Sequence, residues 1–328
     1  MEDKVINHIS FPGLGIKDMN INPIAFEIFG KPVAWYGIII SCAMILAVLY
    51  VLYRAKQSDA IKPDDVFDFA IWAIPLGVIG ARLYYVLMQL DEYKGKPFIE
   101  YIAVWKGGIA IYGGIIGGAI GILIASRRKK VKPLKFLDMV APAVMIAQAI
   151  GRWGNFCNAE AYGTSKNVAS FPLRMHLEKT DVIDGYSHRT VIGDVHPTFL
   201  YESLWNILGF VLINLFYKKK KYDGQILVMY LTWYGFGRMF IEGLRTDSLY
   251  AFGSFRISQV VGFLCFFIGI CILSAMEIVR HLRKNDAISA PACEAAEETP
   301  EIKEEKSEEK KDNGVFEIAD SYSDDDDE

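Results

Sequence analysis

Seven stretches of this chain are apolar over the length of a membrane span, and that pattern constrains the fold more than any other feature. A spanning helix needs roughly 20 mostly apolar residues. The stretches are Val33–Tyr53, Val66–Leu90, Gly108–Ser126, Phe136–Gly154, Thr198–Tyr217, Gly224–Leu244 and Ile257–Val279, and the second, fourth and sixth carry ionisable residues. Lipid cannot satisfy an open sheet edge, so helices are the expected form. The expectation is an all-α polytopic membrane protein with seven transmembrane helices.

Charge sets the orientation. Arg127 to Lys132 and Lys218 to Lys221 are strongly basic, Arg54 and Lys56 follow the first stretch, and Arg280, Arg283 and Lys284 follow the last. Seven crossings put all four clusters on one side. The positive-inside rule makes that side the cytoplasm, with the N-terminus outside and the C-terminus inside. From Asn285 onward there are 17 acidic residues against 4 basic ones, so the rest of the chain is cationic although the whole carries −4. Residues 1–32 read as an external, partly interfacial segment. Residues 33–284 form a seven-helix membrane domain with an external loop at about 157–196, and 285–328 a disordered acidic cytoplasmic tail. The N-terminus has no basic start, apolar run and cleavage site, so no removable signal peptide is expected. The five cysteines show no zinc spacing and no disulfide framework.

The fourth stretch ends in a polar block, Gly151-Arg152-Trp153-Gly154-Asn155-Phe156-Cys157-Asn158-Ala159-Glu160-Ala161-Tyr162-Gly163. One arginine at membrane depth costs about 2.5–3.5 kcal/mol. A lone arginine would read as a helix end snorkelling into headgroups. An arginine, two asparagines and a glutamate close together favour a site. The sixth stretch carries Tyr234, Arg238, Glu242 and Arg245, whose spacing puts them on one helical stripe. Arg238 and Glu242 can pair there, and two arginines against one carboxylate leave a positive surplus suited to an anionic ligand. Glu202, about one turn into the fifth stretch, needs an arginine partner. His8, His176, His188 and His281 read as ordinary surface residues.

Two other motifs read as structural. Gly107 to Gly121 is glycine-rich but lacks the lysine and preceding strand of a phosphate loop, so close helix packing is its expected role. Asp64-Asp65-Val66-Phe67-Asp68 has no second aspartate motif to complete a diphosphate–metal site, and helix capping by Asp64 or Asp65 is expected instead.

The block at Gly151–Gly163 closely resembles the defining motif of the prolipoprotein diacylglyceryl transferase family. The resemblance extends in order over Val33-Ala34-Trp35-Tyr36-Gly37, Gly80 to Tyr85 around Arg82, Trp105 to Gly108 with Tyr112-Gly113-Gly114, His196-Pro197 through Glu202, and Tyr234 through Arg245. It implies a bacterial inner-membrane enzyme whose catalytic unit is the membrane domain. Such an enzyme moves a diacylglyceryl group from phosphatidylglycerol to the lipobox cysteine of a preprolipoprotein, forming a thioether and releasing glycerol phosphate. The nucleophile belongs to the substrate. No metal, organic cofactor or nucleic acid is implied. The resemblance makes Arg152, Arg238, Tyr112, Glu160 and Asn155 catalytic candidates. Tyr36, Arg82, Glu202, Tyr234, Glu242, Arg245, His196, Gly163 and again Arg152 become candidates for substrate binding. Arginines hold phosphate bidentately. Family members commonly carry histidine where this chain has Tyr112, so a histidine base does not carry over. Tyr112 as base, Tyr112 as lipid-positioning group, and a thiolate favoured by the arginine field all stay open. The rival reading is a transporter or channel for an anionic solute, although no internal repeat supports it.

Overall fold

A computed structural model describes residues 5–183, 186–247, 250–251 and 255–297. Its helices are α1 (Trp35–Ala55), α2 (Pro63–Met88), the short α3 (Leu90–Tyr93) and α4 (Phe98–Ile102), α5 (Ile111–Lys129), α6 (Pro133–Cys157), α7 (Thr198–Tyr217), α8 (Gln225–Leu244) and α9 (Ile257–Glu297). Five are long and apolar enough to cross a membrane: α1, α2, α6, α7 and α9 as far as Asn285. Helices α5 and α8, of 19 and 20 residues, reach a comparable length. Basic residues ending α5, and Arg238 with Glu242 inside α8, dilute their apolarity. Met44, Ile45, Leu46 and Leu49 of α1 are all about half exposed. An apolar face of that kind suits lipid rather than water. The chain divides into a unit of Met1–Ser274 and a unit of Ala275–Glu328. The acidic tail expected at 285–328 lies outside the described residues from 298 on, and α9 itself runs to Glu297.

Helix starts follow the sequence. Pro63 and Pro133 occupy the first turns of α2 and α6, where a missing N–H costs nothing. The Asp65 carboxylate accepts the Lys62 backbone N–H at 3.0 Å, which caps α2 from its third position. Lys129 of α5 bridges Asp65 at 3.2 Å and also pairs with Asp68. The aspartate stretch therefore caps and cross-links helices.

Glycine decides how α2 meets α5. A methyl added at Gly113 or Gly117 would overlap the Gly80 or Leu76 carbonyl, and one at Gly121 would lie 2.5 Å from the Trp72 carbonyl oxygen. The backbones touch along this ridge, as the glycine run implies. Elsewhere side chains interlock. Phe69 of α2 stacks on Phe136 of α6 at 3.7 Å. Trp205 of α7 and Trp233 of α8 stack at 4.1 Å, and each indole N–H donates to the other's backbone carbonyl at 3.0 Å. Fully buried Asp138 of α6 accepts the N–H groups of Gly224 and Leu227 at 2.8 and 3.0 Å, anchoring the start of α8.

The fold is mostly helical, but not all-α. Strands β1 (Ile6–Phe11), β2 (Ile16–Ile21), β5 (Met175–Ile183) and β6 (Tyr186–Val195) form an antiparallel sheet in the order β2-β1-β5-β6. It joins the N-terminal segment to the loop after α6. Asn7, Ile9 and Phe11 alternate inward, and Ile9 and Phe11 pack with Met175, Leu177, Val195, Ala159 and Phe199. The pairing of Ile9 with Leu177 joins distant parts of the chain, which no local pattern announces. A hairpin of β3 (Ile24–Ile28) and β4 (Lys31–Ala34) turns through Phe29 and Gly30, both at positive φ, and exposes Phe26, Ile28 and Phe29. The short pair β7 (Tyr250–Ala251) and β8 (Phe255–Arg256) precedes α9.

His176 on β5 is not an ordinary surface residue. Its ring contacts Asp194 at 2.7 Å and Glu178 at 3.3 Å, Arg174 also meets Asp194 at 3.3 Å, and Arg189 pairs with Glu178. The Asp194 contact, then Glu178, raises the His176 pKa above 6.5. A raised pKa stabilises the fold fully below the unfolded value, and the contribution is lost as pH rises through the folded value. Protection of β5 and β6 amides, corrected for intrinsic exchange, is expected to fall as pH rises above the ordinary histidine range. His176→Gln should flatten that fall, and an unchanged profile in the variant would remove His176 as its source.

Candidate active site

One carboxylate organises the polar residues at one end of the bundle. Glu202 of α7 is buried and takes Arg152 of α6 at 2.7 Å, Arg238 of α8 at 3.1 and 3.2 Å, and Arg245 at the end of α8 at 3.4 Å. Each arginine has a second partner. Arg238 meets Glu242 at 2.7 Å, the i,i+4 pair expected from the stripe. Arg245 forks onto both oxygens of Asp247, at 2.9 and 2.7 Å. Arg152 donates to Asn155 Oδ1 at 3.3 Å. Three arginines thus face three carboxylates, so the positive surplus expected from the stripe alone is cancelled by Glu202 and Asp247. Layering keeps the cations usable. Glu202 and Glu242 retain 5% and 2% of their side-chain exposure, against 20% for Arg152 and 14% for Arg238. The two glutamates lie behind and the guanidiniums face outward. Such pre-oriented donors can meet an anion with little reorganisation.

The polar block extends the chain of contacts. Asn155 Nδ2 donates to Glu160 at 2.9 Å, and Asn158 Nδ2 to the same oxygen at 3.3 Å. Glu160 lies between Ala159 and Ala161, which hold φ at 48° and 56°. Non-glycine residues rarely occupy that region, and the backbone here turns Glu160 back toward Asn155. Two contacts hold the turn. Thr198 bonds to the Ala161 carbonyl, and Asn7 of β1 donates to the Cys157 carbonyl at 2.8 Å. Cys157 is a free thiol. Tyr36, at the start of α1, lies over Gly154, where a methyl would come 2.7 Å from its ring. Tyr234 sits beside Tyr230 with ring centres 5.9 Å apart, within electrostatic range of Arg238, Glu202, Arg152 and Tyr112. Tyr112 is half-buried in the first turn of α5, with Tyr84 at 6.4 Å.

Three candidates are held in other ways. The Arg82 guanidinium donates to the carbonyls of Tyr101, Gly107, Gly108 and Glu100 and to the Tyr93 hydroxyl, at 2.6–3.2 Å. Those bonds occupy all of its N–H donors. Gly163 donates its N–H to the His196 carbonyl at 2.8 Å and bridges Arg245 through the backbone. A methyl there would lie 2.6 Å from His196 Cβ. The His196 ring lies 3.2 Å from the Lys166 carbonyl through Nε2 and 3.1 Å from the Tyr201 hydroxyl through Nδ1. A carbonyl only accepts, so Nε2 carries the proton. Gly163 and His196 join the polar block to the end of α8. Sequence reasoning missed Asp247, because the stripe was followed only to Arg245; its position two residues on is the signal that could have found it.

A family model described as prolipoprotein diacylglyceryl transferase matches residues 23–275. The chain is 46% identical to a phosphatidylglycerol–prolipoprotein diacylglyceryl transferase of Enterococcus faecalis over 268 residues, covering 81% of this chain and 92% of the relative. A protein of the same name from Streptococcus mutans is 44% identical over 275 residues, 83% of this chain and 100% of the relative. One from Streptococcus pyogenes is 47% identical over 252 residues, 76% and 93% of the two chains. On the extent of these matches, the chain belongs to the prolipoprotein diacylglyceryl transferase family.

Proposed function

We propose that this chain transfers the diacylglyceryl group of phosphatidylglycerol to the lipobox cysteine of a preprolipoprotein, and that the cluster around Glu202 is where it does so. The observation that carries this is the convergence of Arg152, Arg238 and Arg245 on one buried carboxylate, near the end of α6 and the start of α7, two helices long and apolar enough to cross a membrane. The substrate thiol gives up its proton and its sulfur attacks the glyceryl carbon. The carbon–oxygen bond to phosphate breaks, and the electron pair leaves with glycerol phosphate. Arg152 and Arg238 bind the phosphate and meet the charge that develops on its oxygen. Glu202 and Glu242 hold those guanidiniums, while Asn155 and Glu160 set the rotamer of Arg152. Tyr36 and Tyr234 line the lipid headgroup. Arg245, Gly163 and His196 hold the outer wall, and Arg82 acts by fixing the loop before α5 rather than by touching lipid.

In this reading α5 and α8 also cross the membrane, making seven spans. The basic ends of α5 and α7 face the cytoplasm of a bacterial inner membrane, and the Glu202 cluster faces the outer side. The exposed Phe26, Ile28 and Phe29 of the hairpin suit an interfacial N-terminal segment. The test is incubation of purified protein in detergent with phosphatidylglycerol and a lipobox peptide. Glycerol phosphate release and a matching mass gain on the peptide cysteine are expected. A protein that only moved an anionic solute would give neither.

Tyr112 can be tested in the same assay. A positioned general base contributes about 10²–10⁴ in rate. An imidazole can hydrogen-bond from the same place as the tyrosine hydroxyl, so Tyr112→Phe is expected to lose activity only partly and Tyr112→His to keep much of it. Folded but inactive Phe and His variants together would make the tyrosine hydroxyl indispensable.

A further inference from the structure

The other end of the bundle holds a second concentration of positive charge. A cavity of about 650 Å³ there is lined by Arg54, Lys135, Lys218 and Lys220, with Asp59 and Asp223 opposing them. Lys135 and Arg152 both lie on α6, whose 1.5 Å rise per residue puts roughly 25 Å between them. The cavity is therefore separate from the Glu202 cluster.

Arg54 is built into its wall. It keeps only 8% of its surface exposed. Its Nε donates to the Tyr50 hydroxyl at 2.8 Å, Nη1 to Gln57 at 3.5 Å and Nη2 to Asn214, and its guanidinium lies 3.9 Å from the centre of the Tyr217 ring. Every one of these partners is neutral. Among the described residues no carboxylate lies within 4.0 Å of Arg54, Lys135 or Lys218. Lys220 differs, since it pairs with buried Asp138 at 3.0 Å and approaches Asp223 at 3.8 Å. A buried guanidinium without a counter-charge is unfavourable unless an anion joins it. Neutral acceptors and an aromatic face offset only part of that cost. Two N–H groups of Arg54 remain beyond the three these partners take.

We propose that this cavity is a phosphate-binding site, with Arg54 as its anchor and Lys135 and Lys218 as its rim. A phosphate offers several oxygens, enough for a guanidinium fork and two ammonium groups together. Basic pockets between membrane helices receive anionic lipid headgroups by the same chemistry. The phosphate arrives either on such a lipid or as the free ion. In both cases it ties the end of α1 to those of α6 and α7.

The test compares delipidated wild-type protein with Lys135→Gln/Lys218→Gln, since Lys218 is exposed and Lys135 half-buried and neither supports the core. One arm counts bound phosphatidylserine by native mass spectrometry, with phosphatidylcholine as the neutral control. The other follows the unfolding temperature with added inorganic phosphate. The double variant is expected to bind one class of phosphatidylserine about 10–30-fold more weakly, whereas Arg152→Ala keeps that class. A variant-dependent shift in the phosphate arm alone would assign the site to free phosphate. Identical behaviour of folded wild type and double variant in both arms overturns the proposal.

Discussion

Glu202→Gln is expected to abolish lipid transfer more completely than the loss of any single arginine around it. The wild-type carboxylate serves Arg152, Arg238 and Arg245 at 2.7–3.4 Å. Glutamine keeps the shape but removes the charge, and its NH₂ group turns donors toward guanidiniums that can only donate. Breaking a buried ion pair on one side costs about 3–5 kcal/mol, and here three cations lose the shared partner. Arg152→Ala and Arg238→Ala should each lower the rate by about 10²–10³, the usual effect of removing a charge-stabilising donor. Glu202→Gln should fall by at least about 10³, because all three arginines lose their shared partner at once. Arg152→Lys should also fail, since one guanidinium reaches Glu202 through Nη2 and Asn155 through Nη1, a fork that an ammonium cannot reproduce. Rates on purified protein, with circular dichroism as the check of folding, decide the matter. Transfer by folded Glu202→Gln within tenfold of wild type would show that the arginines do not depend on this carboxylate.

What could be read in the sequence divides by range of interaction. The Arg238–Glu242 pair follows from helical spacing, and the need of Glu202 for an arginine follows from the cost of a buried charge; both stand in the structure. Local spacing does not say that arginines from α6 and α8 converge on the same glutamate, so the hub was invisible. Counting charge along one helix overstated its positive surplus, because Glu202 comes from another helix and Asp247 lies beyond the helix end. The sheet was missed for a related reason. Strand β1 is short and pairs with β5 across most of the chain, and the buried Asn7 interrupts its apolar alternation, satisfied by a carbonyl that only the fold brings near. Arg82 is a substrate-binding candidate through the family resemblance of Gly80 to Tyr85 alone. Its partners are carbonyls of a loop 18 to 26 residues away, and no motif reports those. The glycine run was read correctly, because the lack of a lysine excluded a phosphate loop and its small-residue spacing left helix packing.

That glycine ridge carries the other large expected effect. Gly117→Ala should destabilise the protein sharply while Gly118→Ala, one residue on, should be nearly silent. A methyl at Gly117 overlaps the Leu76 carbonyl, whose own position is fixed in α2, whereas one at Gly118 finds its nearest neighbour, the Ala73 carbonyl, at 3.9 Å. Carbon contacts are most favourable at about 3.5–4.0 Å, so the second substitution fits and the first must push two backbones apart. Overpacking of this kind costs about 1–3 kcal/mol. Close contact is also the main attraction between helices in lipid, so the displaced pair has little to replace it. The effect should reach the chemistry, because Arg82 on α2 holds the loop that starts α5, and Tyr84 on α2 lies against Tyr112 on α5. Separating the helices moves Tyr112 relative to Tyr234 and the arginines. Gly117→Ala is therefore expected to lower both the unfolding temperature in detergent and the transfer rate, and Gly117→Val to prevent recovery of folded protein. Matching unfolding temperatures for Gly117→Ala and Gly118→Ala would mean that α2 and α5 do not meet along this ridge, and the placement of Tyr112 would lose its support with it.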